Sequence, residues 1–429
     1  MGSEELQNRE QFDPAQKPSL ENGLHQIATS LVLFSILLDQ LTETNPVELS
    51  IVMPCLNEAA TLESCIAKAR RALNEDNIAG EIIIADNGST DGSIDIAERL
   101  GARVVHVSAK GYGNALMAGI TAAQGKYVLM GDADDSYDFL DAPRFLAKLR
   151  EGYDLVQGCR LPAGGGTVMK GAMPFSHRWI GNPAFSLMAR QMFGTPIHDV
   201  YCGLRAFTKE HYKKLEPQCV GMEFATEMII KSSLGRAKIA EIPITLHRDG
   251  RINTRPHLRT VRDGWRTLRF YVLFSPRWLF WYPGLAMIFL GLIGYSLALP
   301  RLSIGQIHFD AHTLLFASLA ILLGYQSTLF AILAKTFAIT EKLLPEDPRV
   351  TQFFKIMNLE KGLIIGALAM LGGFSLLVTA IYQWHTVNFG PLNYSDTMRL
   401  VIPGITLSAL GFQTILSSFF VSLLGMARK

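Results

Sequence analysis

Four apolar stretches in the second half of the chain constrain its fold more than any other feature. They run approximately over 278–299 (WLFWYPGLAMIFLGLIGYSLAL), 311–334, 362–384 and 400–426. Each has the roughly 20 mainly apolar residues that a helix needs to cross a hydrocarbon core. The alternative is a set of buried helices in a large soluble core, and four in succession at this length disfavour it. Their central turns hold no Asp, Glu, Lys or Arg, and Lys335 stands at the very end of the second. Ion pathways and proton relays put ionisable groups inside the membrane, so the spans read as an anchor rather than a transporter.

Basic residues in the short loops set the expected orientation. Lys335, Lys342, Arg349, Lys355 and Lys361 fall between spans two and three and Arg428 and Lys429 end the chain, whereas the other two loops offer little beyond Arg301 and Arg399. The large N-terminal region and both termini are therefore expected to face the cytosol. Five cysteines without a CxxC pair fit a reduced compartment and argue against structural zinc. Residues 1–45 form an N-terminal extension whose acidic, polar start, EELQNREQFD, is unlike a signal peptide. Its apolar run 27–38 is too short to span comfortably and is expected to lie on the membrane or on the protein.

Residues 46–251 alternate between two periodicities. ELSIVM, EIIIA, ARVVHV and KYVLMG read as strands, and TLESCIAKARRALNE, SIDIAERLG and GNALMAGITAAQG as helices between them. Such alternation predicts βαβ units and an α/β fold with a mainly parallel sheet. Ligands of an open sheet of this kind bind beyond the carboxyl ends of the strands. There the sequence is rich in polar groups: PCLNE (54–58), DNGSTDGS (86–93), AKGYGNA (109–115) and GDADDSYDF (131–139).

Several alternatives are excluded by spacing. GYGNAL has Leu116 where a dinucleotide fingerprint needs its third glycine, and GITAAQGKY lacks the Ser/Thr of a P-loop. The acidic run imitates a calcium loop at Asp132, Asp134 and Ser136, but Tyr137 and Pro143 replace its glycine and terminal glutamate. Nucleic-acid binding is not supported, since the basic residues cluster beside the membrane segments. What the four aspartates of GDADDSYDF do require is a cation, a donor cluster or water to separate their charges.

SIVMPCLNE, IIIADNGSTDG and VLMGDADDS, each closing a strand, resemble the family 2 glycosyltransferases. Within that family VQGCRL, SHRWIGN, IHDVYCGLRAF and EIPITLHRDGR look like the branch that loads a sugar onto polyprenyl phosphates, as dolichyl-phosphate mannose and glucose synthases do. The resemblance implies a nucleotide-diphospho-sugar transferase (GT-A type) domain followed by a helical membrane domain of four spans. It implies that Pro54, Leu56 and Glu58 line the nucleotide and that Asp86 accepts from the imide N–H of the base. Asp132 would lie near the ribose and diphosphate, and Asp132 and Asp134 would hold Mg²⁺ or Mn²⁺, the hard cation that a departing diphosphate calls for. Asp135 and Asp138 are expected to cap the following helix or face water.

The same resemblance puts Arg160, Arg178, Arg205, Arg248 and Arg251 on the acceptor phosphate, which guanidinium grips bidentately. Asp199 matches the aspartate offered as base or orienting residue, its alternative being a pairing with Arg205. Two departures stand out. Asn87 occupies the second position of the usual double aspartate, and Ser136 the position where a glutamine often follows the metal aspartates.

Between 252 and 277, Arg259, Arg262, Arg266 and Arg269 alternate with Val261, Trp265, Leu268 and Val272 at helical spacing. This is a helix expected to lie at an anionic membrane surface or to dock on the catalytic domain. The expected enzyme is a membrane-anchored, metal-dependent, inverting hexosyltransferase moving one sugar from a UDP- or GDP-sugar to a polyprenyl phosphate. The competing readings are transfer to a diacylglycerol or polysaccharide hydroxyl, and a non-catalytic membrane scaffold.

Overall fold

β1 (Leu49–Cys55) occupies the middle of the catalytic domain because both of its faces are apolar. Ile51 and Met53 enter one core with Leu62, Ile66 and Phe145, while Val52 enters a second with Ile83, Leu116 and Val128. A strand buried on two sides has to read as a continuous apolar run. The computed structural model describes residues 47–251, 260–341, 343–356 and 358–425. The short apolar run 27–38, Arg255, Arg259, Lys342, Arg428 and Lys429 lie outside the described residues.

The expected alternation is present: α1 (Leu62–Glu75), β2 (Gly80–Asp86), α2 (Ser93–Arg99), β3 (Arg103–His106), α3 (Tyr112–Ala122) and β4 (Tyr127–Met130) follow β1 in turn. Then come α4 (Ala142–Arg150), β5 (Leu155–Cys159), β6 (Thr167–Val168), α5 (Asn182–Phe193) and β7 (Arg205–Thr208). The domain closes with α6 (Lys209–Leu215), α7 (Glu223–Leu234), β8 (Ile239–Pro243) and β9 (Thr245–Leu246). Gly119 lets α3 lie directly on the sheet, since a Cβ there would come within 2.6 Å of Val52 Cγ1.

Seven strands form one sheet in the order β3-β2-β1-β4-β7-β5-β8. From β1 the chain moves outward to β2 and β3, then returns to lay β4 on the other side of β1, so the strand order reverses between β1 and β4. Such a reversal point, where the loops after the two strands part, is the usual ligand position in sheets of this kind. β7 is antiparallel to both neighbours. Its first residue, Arg205, pairs in register with Met130, the last of β4. The segment leading into β7 therefore arrives at the edge where β1, β2, β4, β5 and β8 end.

α8 (Thr260–Leu273) joins the catalytic domain to the first span. Of the apolar face expected there, Leu268 and Val272 are half-buried and Trp265 is exposed. Thr267, Phe270 and Tyr271 are the buried residues, and Tyr271 meets Phe193 and Phe185 edge-on at 5.5 and 6.1 Å between ring centres. Trp265 stays 64% exposed beside exposed Arg262, Arg266 and Arg269. Tyr271 is buried most deeply because α5 offers a cleft lined by Phe185 and Phe193.

Among the described residues four helical segments, Arg277–Ala298, Ala311–Thr340, Leu359–Thr386 and Tyr394–Leu424, are long and apolar enough to cross a membrane. The second and third run several residues past the apolar windows at each end or one end, because backbone hydrogen bonding continues through polar flanks that hydropathy does not count. The first begins with a π-helical turn, Arg277–Trp281, and continues as α9 (Tyr282–Ala298). α10 (Ala311–Thr340) packs on α9, and α12 (Leu359–Thr386) on α13 (Tyr394–Gly425), with the short α11 (Pro348–Ile356) between the pairs. Glycines let the backbones approach: a Cβ on Gly324 would lie 2.6 Å from Gly284 O, and one on Gly411 2.5 Å from Gly366 O. Arg399 bonds Asp310 at 2.8 Å at the end away from the catalytic domain.

Candidate active site

The loop after β2 is built around two neighbouring side chains. Asp86 is 2% exposed, and its carboxylate accepts from Gly88 N at 2.9 Å and Ser89 N at 3.0 Å. These bonds fix the plane of a carboxylate at the mouth of the β1–β2 edge. Asn87 does what an aspartate could not: its Nδ2 donates to Val107 O (3.1 Å) and Ala109 O (2.8 Å), while its Oδ1 accepts from Gly111 N (2.8 Å). An amide with both a donor and an acceptor end is required there, which accounts for the departure from the double aspartate.

The loop after β1 faces it. Pro54 is half-buried in β1, Leu56 is 40% exposed, and Glu58 is buried. Ser93 Oγ and Asp91 hold the Glu58 and Ala59 amides at 2.9 and 3.0 Å, so the Pro54–Glu58 loop is clamped to the Asp86 loop.

Across the reversal point the aspartates of GDADDSYDF separate into distinct jobs. Asp132 Oδ1 accepts from Tyr112 Oη at 2.9 Å, and Gly203 packs so close that a Cβ would come within 2.6 Å of Asp132 Oδ2. Asp134 Oδ1 accepts from Ser136 Oγ at 2.6 Å and Ser136 N at 3.1 Å, so Ser136 orients this carboxylate. Asp138 caps the turn at Leu140 N, as expected. Asp135 instead turns away in a left-handed conformation (φ 61°) to pair with Lys68 at 2.8 Å and Ser64 at 3.0 Å.

Burial, and then the charge of Asp134, push the Asp132 carboxyl up to about 6, against the bond from Tyr112 and the fields of Arg251 and Arg160. The donors that Asp132 and Asp134 offer are hard carboxylate oxygens. Among the described residues no third Asp, Glu, His or Cys joins them. This fits a cation of the Mg²⁺ or Mn²⁺ type, which takes one or two carboxylates and completes its sphere with water and phosphate oxygens.

The segment before β7 supplies the third wall. Asp199 is fully buried and bound bidentately by Arg160, Nε to Oδ2 at 2.7 Å and Nη2 to Oδ1 at 2.9 Å, with Arg160 N adding a bond at 3.0 Å. Asp199 therefore pairs with Arg160, not with Arg205. Gly203 N donates to Tyr137 Oη at 2.8 Å, and Arg160 Nη1 points at the same hydroxyl. Glu241 of β8 pins the backbone by accepting from His198 N at 2.7 Å and Asp199 N at 3.0 Å, and it meets His198 Nδ1 at 2.8 Å.

The five arginines of the acceptor expectation have different surroundings, with Arg160 and Arg251 both acting on Asp132. Arg205 is wholly buried in the sheet, bonded to the carbonyls of Cys202 and Ala225, and presents nothing to the surface. Arg248 is exposed and donates to Lys170 O. Arg178 lies over the Trp179 ring at 5.1 Å, its Nε buried with no partner among the described residues. Arg251 reaches the loop after β1, bound to Glu58 at 2.8 Å. Tyr112, Tyr137, Gly203 and Glu241 complete the site without having been singled out. All four fall inside the motifs quoted above, but only the long-range pairing of loops reveals what they touch.

Residues 50–216 match glycosyl transferase family 2, and residues 332–425 match the glycosyltransferase family 2 C-terminal transmembrane region. Low-salt glycan biosynthesis hexosyltransferase Agl6 of Haloferax volcanii is 34% identical over 381 residues, covering 88% of this chain and 89% of that protein. The dolichyl-phosphate hexose transferase of the same organism is 33% identical over 205 residues, covering 48% of this chain and 85% of its own. Among solved structures, glucosyl-3-phosphoglycerate synthase from Mycobacterium tuberculosis, crystallised with Mn²⁺, UDP and glucosyl-3-phosphoglycerate, is similar at 24% identity and a TM-score of 0.41, over 53% of this chain and 77% of that one. With the likeness running through the catalytic domain and on into the spans, the chain belongs to glycosyltransferase family 2 and is an integral membrane member of it.

Proposed function

We propose that the protein moves a single hexose from a UDP- or GDP-linked donor to a polyprenyl phosphate, with inversion, and that its catalytic domain and termini face the cytosol. The observation that carries the acceptor class is the state of Asp199. A hydroxyl acceptor needs a general base, and the carboxylate best matched to that role is fully buried with both oxygens bound to Arg160. A phosphomonoester, with its second pKa near 6, arrives ionised and needs only to be positioned. The relative named for dolichyl-phosphate hexose transfer supports the same acceptor.

Asp86 accepts from the base, and Pro54, Leu56 and Glu58 line its approach. Asp132 and Asp134 would hold a divalent cation, which would supply charge neutralisation at the departing diphosphate. Tyr112 and Ser136 hold those two carboxylates in orientation. The acceptor oxygen forms its bond to the anomeric carbon as the bond to diphosphate breaks, on the opposite face, which inverts the centre. Arg178 and Arg248 are the arginines best exposed to grip the acceptor phosphate, while Arg160 acts through Asp199 to shape the wall. Lys335, Arg349 and Lys361 at the near ends of the spans, against Arg301 and Arg399 at the far ends, support the cytosolic assignment.

The test offers radiolabelled UDP- and GDP-hexoses to the purified protein with polyprenyl phosphate or with diacylglycerol. One acid-labile labelled polyprenyl lipid is expected. Label appearing only in diacylglycerol would replace this acceptor with a hydroxyl.

A further inference from the structure

Residues that follow β9 are stitched to the acidic loop: His247 N donates to Ser136 O at 2.9 Å and Gly250 N to Asp134 O at 3.0 Å. This register delivers Arg251 into the crevice between the β1 and β4 loops. Its Nε donates to Glu58 Oε2 at 2.8 Å and to Oε1 at 3.1 Å, and its Nη2 also bonds Oε1. Nη1 bonds Asp249 Oδ2 at 3.2 Å and stands 3.7 Å from Asp134 Oδ2. The guanidinium is largely enclosed, with 18% of its side chain exposed, against 6% for Glu58 and 15% for Asp134.

One guanidinium is thus the counter-charge for carboxylates from both sides of the donor crevice. Asp134 is also one of the two oxygen donors suited to a divalent cation. A cation of that kind coordinates at about 2.0–2.1 Å. Its charge and the guanidinium would then crowd the same carboxylate, and like charges so close repel. A diphosphate removes the conflict, because its oxygens can take both the cation and the guanidinium.

We propose that Arg251 is the resident cation of the donor crevice: it balances Glu58 and Asp134 while the crevice is empty, opposes a divalent ion arriving alone, and turns to the diphosphate when the donor binds. Cation and donor then bind together rather than cation first. Arg251 is a positioning residue on the donor side. The inference rests on the reading that Asp132 and Asp134 hold a divalent ion.

The experiment follows free Mn²⁺ by electron paramagnetic resonance in titrations of the full chain in detergent micelles, with and without UDP or GDP. Wild-type protein should bind Mn²⁺ alone at least about tenfold more weakly than Mn²⁺ with a nucleoside diphosphate. Arg251→Gln should tighten nucleotide-free Mn²⁺ binding by about tenfold and shrink the enhancement by the nucleotide by the same factor. Arg251→Lys, which keeps the charge, should stay near wild type without nucleotide. The proposal is overturned if folded Arg251→Gln protein binds Mn²⁺ alone no more tightly than wild type. Equal wild-type affinity with and without nucleotide overturns it without any variant. Absence of Mn²⁺ binding even with both diphosphates would overturn the divalent-ion reading itself, which separates the two failures.

Discussion

Arg160 and Asp199 face each other through two parallel hydrogen bonds of 2.7 and 2.9 Å, and the aspartate is wholly shielded from water. Neither charge could be solvated alone in that position. Removing one partner of a buried pair costs about 3–5 kcal/mol, because the other is left uncompensated. Arg160→Ala and Asp199→Asn are each expected to lower unfolding stability by about that much, read as a fall in the thermal midpoint in detergent. Replacing both with apolar residues of similar volume should recover most of the loss. Fully additive losses in the double variant would show that the pair is not coupled.

Asp134→Ala should separate chemistry from folding. Its side chain bonds only Ser136 and lies near Arg251, so little packing is lost. Losing several kcal/mol of charge stabilisation at the leaving group corresponds to a loss of turnover of about a thousandfold. Chelation of divalent cations in wild type should have the same effect, and the thermal midpoint of the variant should stay within a few degrees. Ordinary turnover in the variant with chelator present would contradict this.

Asn87→Asp restores the residue common in the family and is nonetheless expected to harm this protein. The one nitrogen whose two N–H groups reach Val107 O and Ala109 O becomes a carboxylate oxygen facing both carbonyls, with only the bond from Gly111 N retained. Unsatisfied buried groups of this kind cost about 1–3 kcal/mol. Hydrogen exchange should rise in the segment 107–112, and donor binding should weaken through Tyr112, which holds Asp132.

His211 supplies a pH dependence whose sign is set by burial. Its Nε2 lies 2.8 Å from Ser232 Oγ, and burial lowers its pKa below the ordinary 6.5 despite the pull of Asp154. Below 6.5 the unfolded chain takes up a proton that the folded protein resists, so stability falls as pH drops through the window beneath 6.5 and is fully present above it. The thermal midpoint should decline on acidification from neutral pH, and His211→Gln should flatten that part of the curve. An unchanged slope in the variant would assign the decline to other groups.

The amino-acid sequence by itself determined the elements from β1 to β4, the four spans and the edge that carries the polar loops. Each is written in local patterns: strand and helix periods, uninterrupted apolar windows, and the positions of turn and acidic residues. The roles of Asp135 and Asn87, the ring contacts of α8 and the partner of Asp199 were not legible there. Those depend on which charge or ring meets which, and Arg251 reaches Glu58 across 193 residues of chain. Only the reversal of strand order at β1 and β4, with β7 entering antiparallel beside them, brings such groups within a few ångströms. Local periodicity specifies which face of an element is apolar, whereas a buried charge takes whichever counter-charge the folded topology delivers to it.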